Sequence, residues 1–147
     1  MKSFGVIGDG SWGMALAERL IDSGHRVLMA GLKTRRKCPN GVQYTNEIRR
    51  VLEFSERIVV SVPIANVEPL FRDAAPHLRG HHRVVSTARG LTPRSHLRAT
   101  EVIRRETAVR QIAVLAGAAD AQALRNQEPV ALVVGSAFQS WVSELQS

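Results

Sequence analysis

Apolar positions in this chain fall into short strand-like runs, each followed by a stretch with helical spacing. Phe4, Val6 and Ile7 form the first run. After three glycines, Met14, Ala17, Leu20 and Ile21 share one helix face at i, i+3, i+4 spacing, and Gly24 stops that helix in the C′ position. A second strand is predicted over Arg26 to Ala30, followed by a basic loop, Lys33 to Lys37, and a Pro39-Asn40-Gly41 turn. Val42 to Thr45 read as a short third strand and Glu47 to Phe54 as a short helix, with Thr45 or Asn46 as its cap. The largely β-branched run Ile58 to Val62 has the character of a central parallel strand, and Pro63 ends it. Asn66 is positioned to cap a helix whose third residue is Pro69. Proline is tolerated there because first-turn N–H groups have no intrahelical partner, and Pro76 closes the helix.

Further strands are expected over Arg83 to Thr87, Ile112 to Leu115 and Val130 to Val134. Helices are expected over His96 to Glu106 and Ala121 to Asn126, with a last element at Trp141 to Leu145. Strand and helix alternate throughout, without internal repeat, linker or low-complexity tract. The pattern predicts an α/β fold, a doubly wound parallel (Rossmann) sheet in a single three-layer domain over residues 1–147.

The glycines after the first run add chemistry to this pattern. Gly8, Gly10 and Gly13 have the spacing G-x-G-x-x-G, with a strand before them and a helix after. In that context the first glycine permits the sharp turn, the second lets a pyrophosphate approach the backbone, and the third lets helix and strand pack closely. The unpaired N–H groups at the start of the helix then face the anion. A dinucleotide is therefore the expected ligand, with Gly8, Gly10, Ser11, Trp12 and Gly13 around its diphosphate.

Composition narrows the alternatives. A chain of 147 residues can bury a core without staples, and its single cysteine, Cys38, excludes an intrachain disulfide and a cysteine metal site. No spacing of histidines and carboxylates suggests a metal centre. No apolar run approaches the ~20 residues of a membrane span. Gly5, Gly8 and Asp9 break the N-terminal apolar run, so no signal peptide is read and a cytoplasmic address is expected. The net charge is +7, but its basic clusters are short and none is interleaved with aromatic residues, so nucleic acid is not an expected partner.

In a doubly wound sheet the ligand crevice lies beyond the carboxyl ends of the strands, where the strand order reverses. That rule brings together the Gly8–Gly13 turn, Ser61-Val62-Pro63, the loop from Thr87 to Gly90 and the loop from Gly117 to Asp120. Val62 and Pro63 would line the ribose-nicotinamide side, and Asp120 would cap the helix starting at Ala121. An acidic residue about 20 positions after the glycines would take the ribose 2′-hydroxyl. The end of the second strand reads Met29-Ala30-Gly31-Leu32-Lys33 instead, so Lys33, Arg35 and Arg36 are candidates to neutralise a 2′-phosphate. NADP or NAD is the expected cofactor, with the charge leaning towards NADP.

These residues also carry a family resemblance. The run Gly8-Asp9-Gly10-Ser11-Trp12-Gly13-Met14-Ala15-Leu16-Ala17 resembles the GxGxWGTALA signature of bacterial NAD(P)-dependent glycerol-3-phosphate dehydrogenases, and Trp12 is its telling letter. Ser61-Val62-Pro63 resembles the family's AVP segment, and Val85 to Leu91 its VSATKGL segment. Ile112 to Ser136 is similar without a gap to IAVLSGPSFAEEVARGLPTAVVVAS. The resemblance implies the family's N-terminal dinucleotide-binding domain, with Arg89 at the position of a lysine near the substrate phosphate and nicotinamide, and Ala121 on the cofactor side.

Departures from the family bear on activity. Arg89 keeps the lysine's charge but not its point-donor geometry. Gly117-Ala118-Ala119-Asp120 replaces Gly-Pro-Ser-Phe, and Ile64 stands where serine is frequent. Family members continue into a helical domain that supplies the general-base lysine and most glycerol phosphate contacts. Among the histidines none is a convincing substitute base, so no catalytic residue is assigned. The expectation is a domain that binds dinucleotide without completing the family reaction alone. Two alternatives stand beside it: an active half completed by dimerisation or another chain, and an interaction module that has lost its ligand. A partner, or a second copy, would dock on the face left by the helical domain.

Overall fold

The computed structural model describes residues 1–32 and 37–147. Among the described residues, seven strands form one sheet: β1 Ser3–Ile7, β2 Arg26–Ala30, β3 Gln43–Thr45, β4 Arg57–Val60, β5 Arg83–Ser86, β6 Gln111–Gly117 and β7 Leu132–Ser136. Their order across the sheet is β3-β2-β1-β4-β5-β6-β7. The helices are α1 Ser11–Asp22, α2 Ile48–Phe54, α3 Val67–Ala74, α4 Ala99–Glu106, α5 Ala121–Arg125 and α6 Gln139–Gln146. Short 3-10 turns at Ile64–Asn66 and Ala75–His77 flank α3.

Strand alternation distributes the apolar residues to two cores. Ile7, Leu28, Ala30, Ile58, Val60, Val84 and Ile112 face α2, α3 and α4. Phe4, Val6, Val27, Met29, Val59, Val85 and Ala113 pack on the other face with Met14 and Ala17 of α1 and Trp141 of α6. Burial on both faces explains why these strands read as nearly unbroken apolar runs.

The first six strands are parallel, as the pattern predicts, but β7 runs antiparallel to β6, pairing Gly117 with Leu132 and Ala113 with Ser136. The reason lies in the connection. β6 has seven residues, about 23 Å of chain, whereas the five-residue α5 rises only about 7.5 Å. A helix that short cannot carry the chain back to the opposite edge, so β7 starts where β6 ends. Other differences are local. α2 is preceded by Glu47 at the N-cap, while Thr45 accepts the Glu47 N–H (3.2 Å) and Asn66 makes no side-chain cap to α3. The helix expected from His96 begins only at Ala99. Gly24, at φ +78°, takes the predicted role beyond the end of α1.

The C-terminal helix is fastened at two points. The Trp141 indole is fully buried and its Nε1–H donates to the Val84 carbonyl (3.3 Å). One turn on, Glu144 accepts from Arg57 Nε (2.6 Å), pairs with Arg83, and lies 3.4 Å from Lys2 Nζ. Burial alone would raise the Glu144 carboxyl, but Arg57, Lys2 and Arg83 outweigh it and hold the group below its ordinary value of 4.5. A depressed folded-state pKa stabilises the fold above the unfolded pKa, and that contribution disappears as pH falls through the folded value.

Two outcomes are expected. Truncation at Trp141→Ala should cost about 3–5 kcal/mol in urea unfolding, the usual range for a buried aromatic. Glu144→Gln should be less stable than the parent at neutral pH. On acidification below 4.5 its stability should fall less than the parent's, as read from urea midpoints across a pH series.

Candidate functional site

The strand order reverses between β1 and β4, and the chain is drawn tight at that point. The Gly8 N–H donates to the Ala30 carbonyl at the end of β2 (2.8 Å), and the Ser61 N–H donates to the Ile7 carbonyl at the end of β1 (2.7 Å). Gly8 has φ +113°, and a Cβ there would lie 2.1 Å from the Ser61 carbonyl oxygen. A Cβ on Gly13 would lie 2.0 Å from the Gly8 oxygen. Gly10 differs from both, since a Cβ built there meets nothing within 4 Å and points into open space. Two of the glycines therefore shape the turn, and the middle one keeps a space clear.

That space lies at the start of α1. Gly10 is the N-cap residue, with no side-chain cap and no acidic residue in the first turn. First-turn N–H groups lack intrahelical acceptors, and the helix dipole adds partial positive charge, so the arrangement favours an anion. The other helix end at the crevice is occupied, because Asp120 Oδ1 accepts the Ala123 N–H (2.7 Å). Asp120 is thus the cap expected for α5.

A cavity of about 520 Å³ runs along the carboxyl ends of β1, β4, β5 and β6. It is lined by Gly10, Ser11 and Trp12; by Ser61, Val62, Pro63 and Ile64; by Thr87, Ala88 and Arg89; and by Leu115, Ala116, Gly117, Ala119, Asp120 and Ala121. The four segments expected to meet do meet. Of the candidate cofactor residues, Gly10, Ser11, Trp12, Val62, Pro63, Arg89 and Ala121 line the cavity, with Gly8 and Gly13 forming the turn behind it. Lys33, Arg35 and Arg36 lie outside the described residues. Arg89 is exposed at the cavity, and its Nη2 donates to the Gly117 carbonyl (2.8 Å), joining the loops after β5 and β6.

The cavity walls are chemically quiet. Among the described lining residues the only ionisable side chains are Arg89 and Asp120, and both are engaged by the bonds just given. The histidines lie elsewhere. His82 is buried and bonded to the Leu52 carbonyl (3.0 Å), and His25 sits at the start of β2, its pKa lowered by burial and by nearby positive charge. No group of three or more metal-ligating side chains occurs among the described residues. No described helix is long and apolar enough to cross a membrane.

One cluster escapes the reading of the sequence. Asp9 turns away from the start of α1 towards the end of β2, where Tyr44 Oη donates to its Oδ2 (3.3 Å) and the Gly31 N–H donates to Tyr44 Oη (3.2 Å). A Cβ on Gly31 would come within 2.3 Å of Asp9 Oδ2 and 2.5 Å of the Tyr44 hydroxyl. The sequence rule seeks a carboxylate on β2 itself. The signal that finds this one is the pairing of β1, β2 and β3, which sets the three residues side by side.

Fold and crevice together define the class: a doubly wound α/β domain with an open crevice at its topological switch point. Comparison with known proteins sharpens this. Residues 32–142 match the model of the NAD-dependent glycerol-3-phosphate dehydrogenase N-terminus, and the chain belongs to that family as an NAD(P)-binding domain. A glycerol-3-phosphate dehydrogenase [NAD(P)+] of Shouchella clausii is 30% identical over 93% of this chain and 46% of its own length. One from Desulfitobacterium hafniense is 32% identical over 92% of this chain and 43% of its own length. The crystal structure of glycerol-3-phosphate dehydrogenase from Coxiella burnetii superposes with a TM-score of 0.88 at 22% identity, covering 98% of this chain and 49% of that one. The chain thus spans about half the length of the curated relatives it matches.

The glycine geometry separates folding from binding. Gly13→Ala would force a side-chain atom against the Gly8 backbone and should lower stability by about 1–3 kcal/mol, the usual cost of overpacking. Gly10→Ala should unfold within about 1 kcal/mol of the parent in the same urea titration, because its Cβ enters empty space.

Proposed function

We propose that this chain holds NAD(H) or NADP(H) in the crevice, with the diphosphate at the start of α1 and the nicotinamide half along Val62, Pro63 and Arg89. The observation that carries the reading is the uncapped N-terminus of α1 with open space at Gly10. Ser11 and Trp12 flank the diphosphate, Val62 and Pro63 give an apolar wall to the ribose-nicotinamide side, and Ala121 borders the far rim. The bound cofactor would supply or accept a hydride.

Oxidation of an alcohol also needs a base positioned at the hydroxyl proton, in a site closed to water. The lining offers a guanidinium and a carboxylate already used as a helix cap, and neither is placed for that work. In this reading the chain binds the cofactor, and the proton-handling group and glycerol phosphate contacts come from residues outside these 147, in further polypeptide or a partner. A cytoplasmic location is part of the same reading.

Calorimetric titration with NAD+, NADH, NADP+ and NADPH provides the test. Saturable binding of at least one oxidised and reduced pair is expected. Gly10→Val should weaken it by about a hundredfold or more, its side chain standing where the diphosphate approaches, while stability changes by only about 1 kcal/mol, the scale of a less favourable N-cap residue. Silence from all four would favour a ligand-free interaction module. Oxidation of NADPH or NADH with dihydroxyacetone phosphate by the chain alone would overturn the incomplete-enzyme reading and favour completion by self-association.

A further inference from the structure

We infer that Asp9, held by Tyr44 beside Gly31, reads the adenosine ribose, and that the chain selects the dinucleotide with a free 2′-hydroxyl, NAD(H), over its 2′-phosphorylated counterpart. This rests on the crevice being the dinucleotide site proposed above. Gly31 directly follows the last residue of β2, and the ribose-binding carboxylate of a doubly wound site belongs at the end of that strand. β2 itself has no acid there. The carboxylate arrives instead from the glycine-rich turn, which the Gly8–Ala30 hydrogen bond ties to the end of β2.

The surroundings are built to receive it. Gly31 has no side chain, and a Cβ would collide with the Asp9 carboxylate and the Tyr44 hydroxyl, so the three residues fit together only as they stand. The backbone N–H of Gly31 orients the Tyr44 hydroxyl, which in turn fixes Asp9 Oδ2. Burial and the neighbouring Asp9 charge raise the pKa of that hydroxyl above its ordinary value, so it stays protonated and a donor. Oδ1 makes no hydrogen bond among the described residues, which leaves acceptor capacity for a vicinal diol. A phosphate at the same place would put a second anion against a partly buried carboxylate, an unfavourable like-charge contact in a medium less polar than water. Lys33, Arg35 and Arg36 supply positive charge nearby in sequence and argue for the opposite preference. The affinity ratio decides between them.

Affinities of the full chain for NAD+ and NADP+, measured at one salt concentration, give that ratio. NAD+ should bind at least about tenfold tighter, the loss expected when a hydrogen-bonded charged pair is replaced by repulsion. Asp9→Asn, isosteric but uncharged, should shrink the ratio by about tenfold or more with an unchanged thermal midpoint. Tyr44→Phe, which leaves the carboxylate but frees its orientation, should shrink it less. A parent that prefers NADP+, or an Asp9→Asn variant with the parental ratio, would overturn the inference while leaving the crevice reading intact. Absence of binding by either dinucleotide would overturn both.

Discussion

The structure turns on a backbone contact. Where α1 leaves the sheet, the Gly13 α-carbon is pressed against the Gly8 carbonyl, and Gly8 is pressed against the Ser61 carbonyl at the end of β4. No side chain fits at either place. The closeness brings the start of α1 over the gap between β1 and β4, and it ties the first turn to β2 through the Gly8–Ala30 bond. Had α1 stood off by the width of a methyl group, its free N–H groups would face solvent instead of a shared crevice. The anion-favouring end of the helix, the reversal of strand order and the cavity are three consequences of one close approach.

Much of this was legible in the residue pattern, because local chemistry and global packing agree. Val84 and Val85 could be recognised as strand residues, since both faces of β5 are buried and both demand apolar side chains. Pro63, Gly24 and Asp120 marked boundaries through properties of their own backbone or side chain. The direction of β7 was not legible in the same way. Val133 and Val134 are good strand residues in either orientation, and only the shortness of α5 decides which edge the chain returns to. The Asp9–Tyr44–Gly31 cluster was hidden for another reason. Its members come from the glycine turn, the edge strand β3 and the end of β2, and no periodicity connects positions 9, 31 and 44.

The positive charge of the chain takes a different form in three dimensions from the one composition suggests. Arg57 and Arg83 converge on Glu144, Arg105 on Glu68 and Glu106, and Arg49 on Glu53. Exposed pairs such as Arg49–Glu53 contribute little, because water and salt screen them. The Glu144 cluster is more enclosed and fixes α6 across the starts of β4 and β5. Arg57 and Arg83 thus serve to fasten α6 to the sheet, at the end opposite the crevice.

The crevice contrasts with that charged end, and the contrast bears on what it can do. Among the described residues its walls are small, apolar or backbone groups, and the two ionisable side chains there are tied to the Gly117 carbonyl and the Ala123 N–H. Holding a diphosphate needs only oriented N–H groups and room, and both are present at Gly10. Moving a proton needs a group whose charge state can change within reach of substrate, and a wall that excludes water. A guanidinium does not deprotonate in a protein, and the Asp120 carboxylate is already engaged as the cap of α5. Binding and proton transfer therefore make different demands, and the residues of this crevice meet the first.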